Sequence, residues 1–300
     1  MKSYKEGGAF VVFKVCCYIF FILFTLICIY PFYYLIINSI SANDLSANGD
    51  IILFPIGIHF TNYIDVIKLP GLLQACFISV SRTVVGTVCT VTVCAFLGYL
   101  FSLKTMWMRK FWYRYLIATM YFSAGLIPWY LTMMNLGLLN NFLAYILPGL
   151  VSPFNIILVK TYIESTPISV QEAAEIDGAG IFTIFFRIIM PLSKPILATI
   201  AVFCAVGQWN SFYDTLLLVT NEKLYTLQFL LYRYINQASS LAALIRSSTQ
   251  VNMAVIGQQS VTPQAVKMTV SVVVVLPILL VYPYFQKFFV KGVMLGAVKG

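Results

Sequence analysis

Glu172-Ala173-Ala174-Glu175-Ile176-Asp177-Gly178 sits in a polar, acidic segment, 165–191, that ends at Pro191 between two apolar runs near 142–162 and 196–219. Both runs are long enough to cross a bilayer core of about 30 Å. A membrane chain needs no such segment merely to turn round. Its residue types suit a small, closely packed helix that another protein grips from the aqueous side. Thr166-Pro167 fits a helix start, because proline is acceptable at the first helical position. Ser169 followed by Glu172 also matches the S-x-x-E capping box, which starts the helix a few residues later. Ala173, Ala174 and Ala179 leave part of that helix with little bulk. Gly178 removes the side chain altogether, at about 1 kcal/mol of helix propensity relative to alanine. It marks either a break between two short helices or a close approach by another backbone. Beyond it, Phe182, Phe185, Phe186 and Ile189 offer an apolar face for packing on a helix bundle.

Working outward, the chain is 60% hydrophobic, 16% aromatic and 10% charged, with mean hydropathy +0.89. A soluble chain of 300 residues needs more charge than that, so the composition places it in a membrane. Six apolar runs, near 10–37, 72–103, 111–134, 142–162, 196–219 and 266–289, each suffice for one span. The expectation is an all-α, six-helix transmembrane bundle forming one domain over 1–300. Pro128, Pro148, Pro153, Pro277 and Pro283 fall in or near these runs, where neighbouring helices can satisfy the freed backbone groups. Lys2 and Lys5 precede the first run, which is too long for a signal-peptide core and reads as a retained helix.

With both termini inside, only Lys68, Arg82, Lys223, Arg233, Arg246 and Lys267 of the 19 basic residues fall outside or in a span. The excess of basic residues on the inner side is the bias that orients multi-span proteins. Topology therefore accounts for the net charge of +9, and no solvated basic module exists to bind nucleic acid. Outer segments remain at 39–71 and 220–265. The second carries Leu224, Leu227, Leu230, Leu231 and Ile235 at roughly helical spacing. It fits a helix on the membrane surface, a dock for a soluble partner, or a helix lying against the bundle. The seven cysteines lie in apolar runs without disulfide or metal-site spacing and suit packing.

No catalytic constellation stands out. His59 is the only histidine, and the carboxylates are scattered. The G-x-x-x-x-G-K-[ST] phosphate loop is absent, as is any Gly-Lys pair. No metal site is expected. Polar residues inside spans are the natural pathway candidates, since burying them in a bilayer is costly. Gln208, Trp209, Asn210, Tyr213 and Asp214 cluster at the outer half of the fifth run, where amide, indole and phenol groups suit sugar faces and hydroxyls. Trp209 and Tyr213 equally fit an interfacial aromatic belt, with Asp214 near water. Asn155, Tyr121 and Ser123 are further candidates.

The acidic segment resembles the EAA loop of ABC-importer permeases: E-A-A, three residues, glycine, nine residues, then I-x-L-P. Glu172-Ala173-Ala174, Gly178, Ile188 and Pro191 match, and Met190 replaces the leucine. The carbohydrate and oligosaccharide branch is similar at Phe122-Ser123-Ala124-Gly125-Leu126-Ile127-Pro128, at Gln208-Trp209-Asn210-Ser211-Phe212 and at the tail Gln286-Lys287-Phe288-Phe289-Val290-Lys291-Gly292. Ile78-Ser79 departs from the Asn-Ser frequent there. The resemblance implies a type I transmembrane subunit in a bacterial plasma membrane, with both termini cytoplasmic. It implies coupling through Glu172, Ala173, Ala174, Asp177, Gly178, Phe185 and Pro191 to a cytoplasmic ATPase dimer that uses ATP and Mg. Its other implied partners are a second homologous permease, an extracellular sugar-binding protein and membrane lipid. Arg82 then pairs with a carboxylate of the second permease, snorkels outward, or lies on the substrate pathway. An ion-coupled transporter or channel is the alternative; it needs embedded carboxylates at broken helices, and Asp214 is the one candidate. A membrane enzyme needs clustered acids or histidines at one face, and the sequence shows none.

Overall fold

The computed structural model describes residues 8–167, 169–247 and 263–297. All regular structure among them is helical. Two compact units form, one from 8–69 with 234–247 and 263–275, the other from 70–233 with 276–297.

In the first unit, α1 (Gly8–Ile40) is long and apolar enough to span a membrane. From Phe10 to Ile29 its large side chains point outward, as a helix bathed in lipid requires. Only its end is buried, at Ile37, Asn38, Ser39 and Ser41. The following segment folds back on that end through α2 (Asn43–Asn48) and α3 (Thr61–Ile67). Tyr33 Oη donates to the Leu53 carbonyl at 2.6 Å, Ser46 Oγ to Asn38 Oδ1 at 2.9 Å, and Asn62 Nδ2 to the Ser39 carbonyl at 3.0 Å. The segment 41–67 is therefore tied onto the end of α1.

The second unit is built on α4 (Leu72–Ser102), which is also of spanning length. After it the expected runs are bent rather than straight. The third divides into α5 (Arg109–Tyr121) and α6 (Leu126–Asn135), turned by 117°. Gly125, with φ 88° and ψ 179°, sits at the break in a conformation that only glycine adopts readily. The fourth comprises two 3₁₀ turns, Phe142–Tyr145 and Leu147–Gly149, and α7 (Pro153–Glu164), bent by 49°. There Ser152 accepts the Asn155 N–H and Pro153 occupies the first turn, a local helix start inside an apolar run.

The acidic segment supplies α8 (Ser169–Ile176), α9 (Ile181–Ile184), a π turn (Phe185–Ile189) and α10 (Met190–Leu192). It enters α11 (Lys194–Asn210) through an 82° bend; this apolar helix ends where the chain turns extended at Ser211, and not near 219. A separate α12 (Tyr213–Leu218) follows. The core joins Cys94 and Tyr99 of α4, Ile156 and Val159 of α7, Phe185, and Ile200 of α11. Gly98 admits the closest contact, since a Cβ there would lie 2.8 Å from the Val159 side chain.

In the segment after α12 Leu224 belongs to a 3₁₀ turn, and α13 (Leu227–Ser247) carries the amphipathic face. Leu227, Leu230 and Leu231 are buried, and the Leu227 N–H donates to Ser79 Oγ at 2.8 Å. Its first turn thus lies against α4; residues 248–262 fall outside the described ones. The last helix, α14 (Pro263–Ala297), contains Pro277 and Pro283, and its apolar stretch is Gln264–Leu280.

Candidate functional site

Two places gather the sequence candidates. The first is the acidic segment. Helix α8 starts at Ser169, nearer the capping-box alternative than a start at Pro167. Gly178 (φ 76°) ends it in the left-handed conformation. Its N–H donates to the Glu175 carbonyl at 3.1 Å, and the Ala179 N–H to the Ala174 carbonyl at 3.0 Å. That pair of bonds is a Schellman stop. Nothing lies within 4 Å of the position a Cβ would take at Gly178. The glycine therefore serves a break between two short helices, not a close backbone approach within this chain.

Glu172, Ala173, Asp177 and Gly178 are exposed, and Ala174 packs partly on the core. Ile176 stands 86% exposed on this polar helix, which leaves an apolar tip for something else to cover. The segment is anchored by Phe185, 1% exposed, whose ring meets Tyr99 at 5.7 Å and Phe96 at 5.2 Å. Ile184 and Ile189 are buried beside it. Phe182 and Phe186 are more than half exposed, yet Phe182 stacks on Phe96 at 5.6 Å and Phe186 meets the Phe185 ring edge-on at 4.9 Å, so the expected face packs through two buried and two partly covered side chains. The π turn follows Phe182, and exposed Pro191, lacking an N–H, interrupts the helical ladder just after it. Behind α8 a cavity of about 420 Å³ opens between Arg109, Glu164 and Gln171. Glu164 there pairs with Arg109, and with Lys160 at 2.7 Å.

The second place is a cavity of about 580 Å³ lined by Trp129, Tyr145, Asn155, Gln208 and Asp214, with Arg82 in its wall. Arg82 is 2% exposed. Its Nε and Nη2 donate to Gln208 Oε1 at 3.1 and 2.9 Å, Nη1 to the Ser211 carbonyl at 3.2 Å, and Nη2 to Asp214 Oδ2 at 2.8 Å. The guanidinium lies 4.5 Å from the Tyr145 ring centroid. Gly86 makes the arrangement possible, for a Cβ there would sit 2.8 Å from Gln208 Nε2. The expectation that Arg82 snorkels or pairs with another subunit is thus corrected. A buried guanidinium needs its charge and donors met, and this chain meets them.

Of the pathway candidates, Gln208, Asp214 and Asn155 come together on this cavity. Trp209 and Asn210 follow on α11 away from its lining, and Tyr213 is 48% exposed. Asp214 belongs to α12, beyond the break, rather than to one continuous fifth span. Tyr121, 86% exposed at the end of α5, and Ser123, in the α5–α6 break, stand apart from the cavity. Tyr145, Trp129 and Gly86 were not singled out from the sequence; an arginine in the second apolar run and an aspartate in the fifth were the available signal. Among the described residues no cluster of three or more His, Cys, Asp or Glu could hold a metal.

An all-helical chain with bent spans and a short exposed helix pair between the fourth and fifth runs has the architecture of an ABC-importer permease. It matches the binding-protein-dependent transport system inner membrane component family over residues 91–295, and it belongs to that family. It is 36% identical over its whole length to the protein LplC of Bacillus subtilis (strain 168), covering 98% of that chain. The polygalacturonan/rhamnogalacturonan transport system permease protein YtcP of the same organism is 34% identical over 94% of this chain and 96% of its own. A solved bacterial ABC transporter involved in the import of the acidic polysaccharide alginate superposes with a TM-score of 0.85 at 29% identity. That match covers 96% of this chain and all of the solved chain. The protein is therefore a multi-pass permease of the bacterial plasma membrane, working in an ABC importer. None of this favours the ion-coupled alternative.

Proposed function

We propose that this chain passes an oligosaccharide from an extracellular binding protein to the cytoplasm, driven by a separate ATPase. Its topology in this reading is six spans with both termini cytoplasmic, one domain over 1–300, an inner coupling segment at 165–191 and outer segments at 39–71 and 220–265. The observation that carries the reading is the exposed α8 tip, stopped at Gly178 and fixed to the core by Phe185. A pair of short helices, leading into α11 through a sharp bend and bearing an uncovered Ile176, suits seating in a cleft of an ATPase subunit. Movement of that subunit then passes to the bundle as a rigid-body shift. Glu172, Ala173, Ala174, Asp177 and Gly178 form the seat, and Phe185 and Pro191 transmit. ATP and Mg belong to the ATPase dimer, and a second homologous permease completes the path.

Carbohydrate polymers name the cargo of YtcP and of the alginate transporter, which supports an oligosaccharide here. Gln208, Asp214 and Asn155 form the pathway wall in this reading, with Trp209, Asn210, Tyr213, Tyr121 and Ser123 placed for the partner permease or the outer rim. The test is to purify the tagged chain from its native membranes. An ATPase subunit, a second permease and vanadate-sensitive hydrolysis are expected with it; a solitary chain without ATPase activity would sink the proposal.

Glu172→Lys probes the seat. Glu172 is exposed in the first turn of α8, so losing it costs the helix only about 0.3–1 kcal/mol. The chain should accumulate normally, while retention of the ATPase falls by on the order of tenfold or more through charge reversal. Undiminished copurification would remove Glu172 from the interface.

A further inference from the structure

Asp214 uses only one of its two carboxylate oxygens within the chain. Oδ2 takes both the Arg82 donor and the Ser211 hydroxyl, at 2.8 and 2.9 Å. Oδ1 accepts from no group among the described residues, although Asp214 lines the 580 Å³ cavity and its side chain is 25% exposed. A charged oxygen without a partner among the described residues, on a residue lining a cavity that also holds an indole and two amides, can accept from hydroxyl groups.

The guanidinium decides which oxygen is engaged within the chain. It spans the break between α11 and α12, holding Gln208 and the Ser211 carbonyl on one side and Asp214 on the other. Tyr145 supports it from below: its Oη donates to the Leu224 carbonyl at 2.6 Å and accepts from Thr215 at 3.2 Å. Four of the five guanidinium N–H groups are engaged in this way. Arg82 therefore has little left to offer a ligand, and its charge is already matched. Among the described residues no other charged one lines the cavity.

We propose that Asp214 is a sugar-hydroxyl acceptor in the translocation path and that Arg82 is its positioning residue. The inference rests on the importer reading above. Arg82 clamps Oδ2, fixes the α11–α12 break, and leaves Oδ1 turned to the passing sugar.

Asp214→Asn keeps the shape and inverts the chemistry. Arg82 still demands an oxygen, so the amide turns its NH₂ to the cavity and an acceptor becomes a donor. Arg82→Lys keeps the charge but cannot reach Gln208, Ser211 and Asp214 together. The full importer, with its binding protein, would be reconstituted in proteoliposomes and offered hydrolysates of pectin, alginate and arabinan. Sugar imported and ATP hydrolysed would be measured on the same vesicles.

The sugar moved per ATP should fall about tenfold in Asp214→Asn, the size of one lost charge-assisted bond, and less in Arg82→Lys. Arg82→Met should match Asp214→Asn where it assembles; if it does not assemble, the other two variants decide. A purely structural role lowers uptake and hydrolysis together, so a wild-type ratio in both Asp214→Asn and Arg82→Lys overturns the inference while sparing the importer. No import of any sugar by the wild type overturns the sugar reading itself, and this inference with it.

Discussion

Gly178→Leu should abolish ATP-driven uptake while leaving the chain inserted and assembled with its sister permease. The backbone at Gly178 has φ 76°, where an L side chain costs about 1–2 kcal/mol. That strain falls on the two bonds that stop α8, from Gly178 to Glu175 and from Ala179 to Ala174. It is local, because among the described residues nothing lies within 4 Å of the added Cβ. The leucine would instead project from the exposed tip, beside Glu172 and Asp177, into whatever covers it. Gly178→Ala separates the two effects, since it carries the strain with almost none of the bulk. Uptake in proteoliposomes and recovery of the ATPase subunit would be measured for both. The expected order is a partial loss for alanine and a near-complete loss for leucine, with equal amounts of permease in the membrane. Normal transport by the leucine variant would remove this helix pair from the coupling path.

What could be read in the chain beforehand was whatever composition and local chemistry decide. The apolar first run became α1, extended only to Ile40, and the second became α4 almost residue for residue. The acidic segment appeared as a short helix, a glycine stop and a second helix, because capping residues and Gly178 act locally. The bends were not legible. Hydropathy treats 111–134 as one run, yet Gly125 can adopt a conformation that turns it by 117°. Likewise Leu216, Leu217 and Leu218 extend the apolar signal of the fifth run past the end of its helix. There the chain turns extended at Ser211, and the Ser211 carbonyl goes to Arg82, some 129 residues earlier. A partner that distant leaves no mark on a local window. The same holds for Arg82, whose oddity showed in the sequence while its partners Asp214, Gln208 and Tyr145 did not.

Gly98→Leu should have the opposite signature from Gly178→Leu: little or no chain in the membrane, and so no complex to assay. Gly98 lies where α4 crosses α7, and a Cβ there would come within 2.8 Å of Val159 Cβ and Cγ1 and 3.1 Å of the Lys160 backbone nitrogen. The valine has one favoured rotamer in a helix, and the nitrogen is main chain, so neither can step aside. Even alanine should cost about 1–3 kcal/mol by overpacking. Leucine must part the helices, and with them Cys94 and Tyr99 from Ile156 and Ile163. Lipid offers no hydrophobic drive to close the gap again, because close backbone approach at small residues is what holds such helices together. Membrane abundance and thermal unfolding in detergent would be measured for the alanine and leucine variants. A leucine variant as abundant and as heat-stable as the wild type would mean that α4 and α7 do not meet at Gly98. Set beside the Gly178 series, the result separates a glycine that permits packing from one that permits a turn, within a single chain.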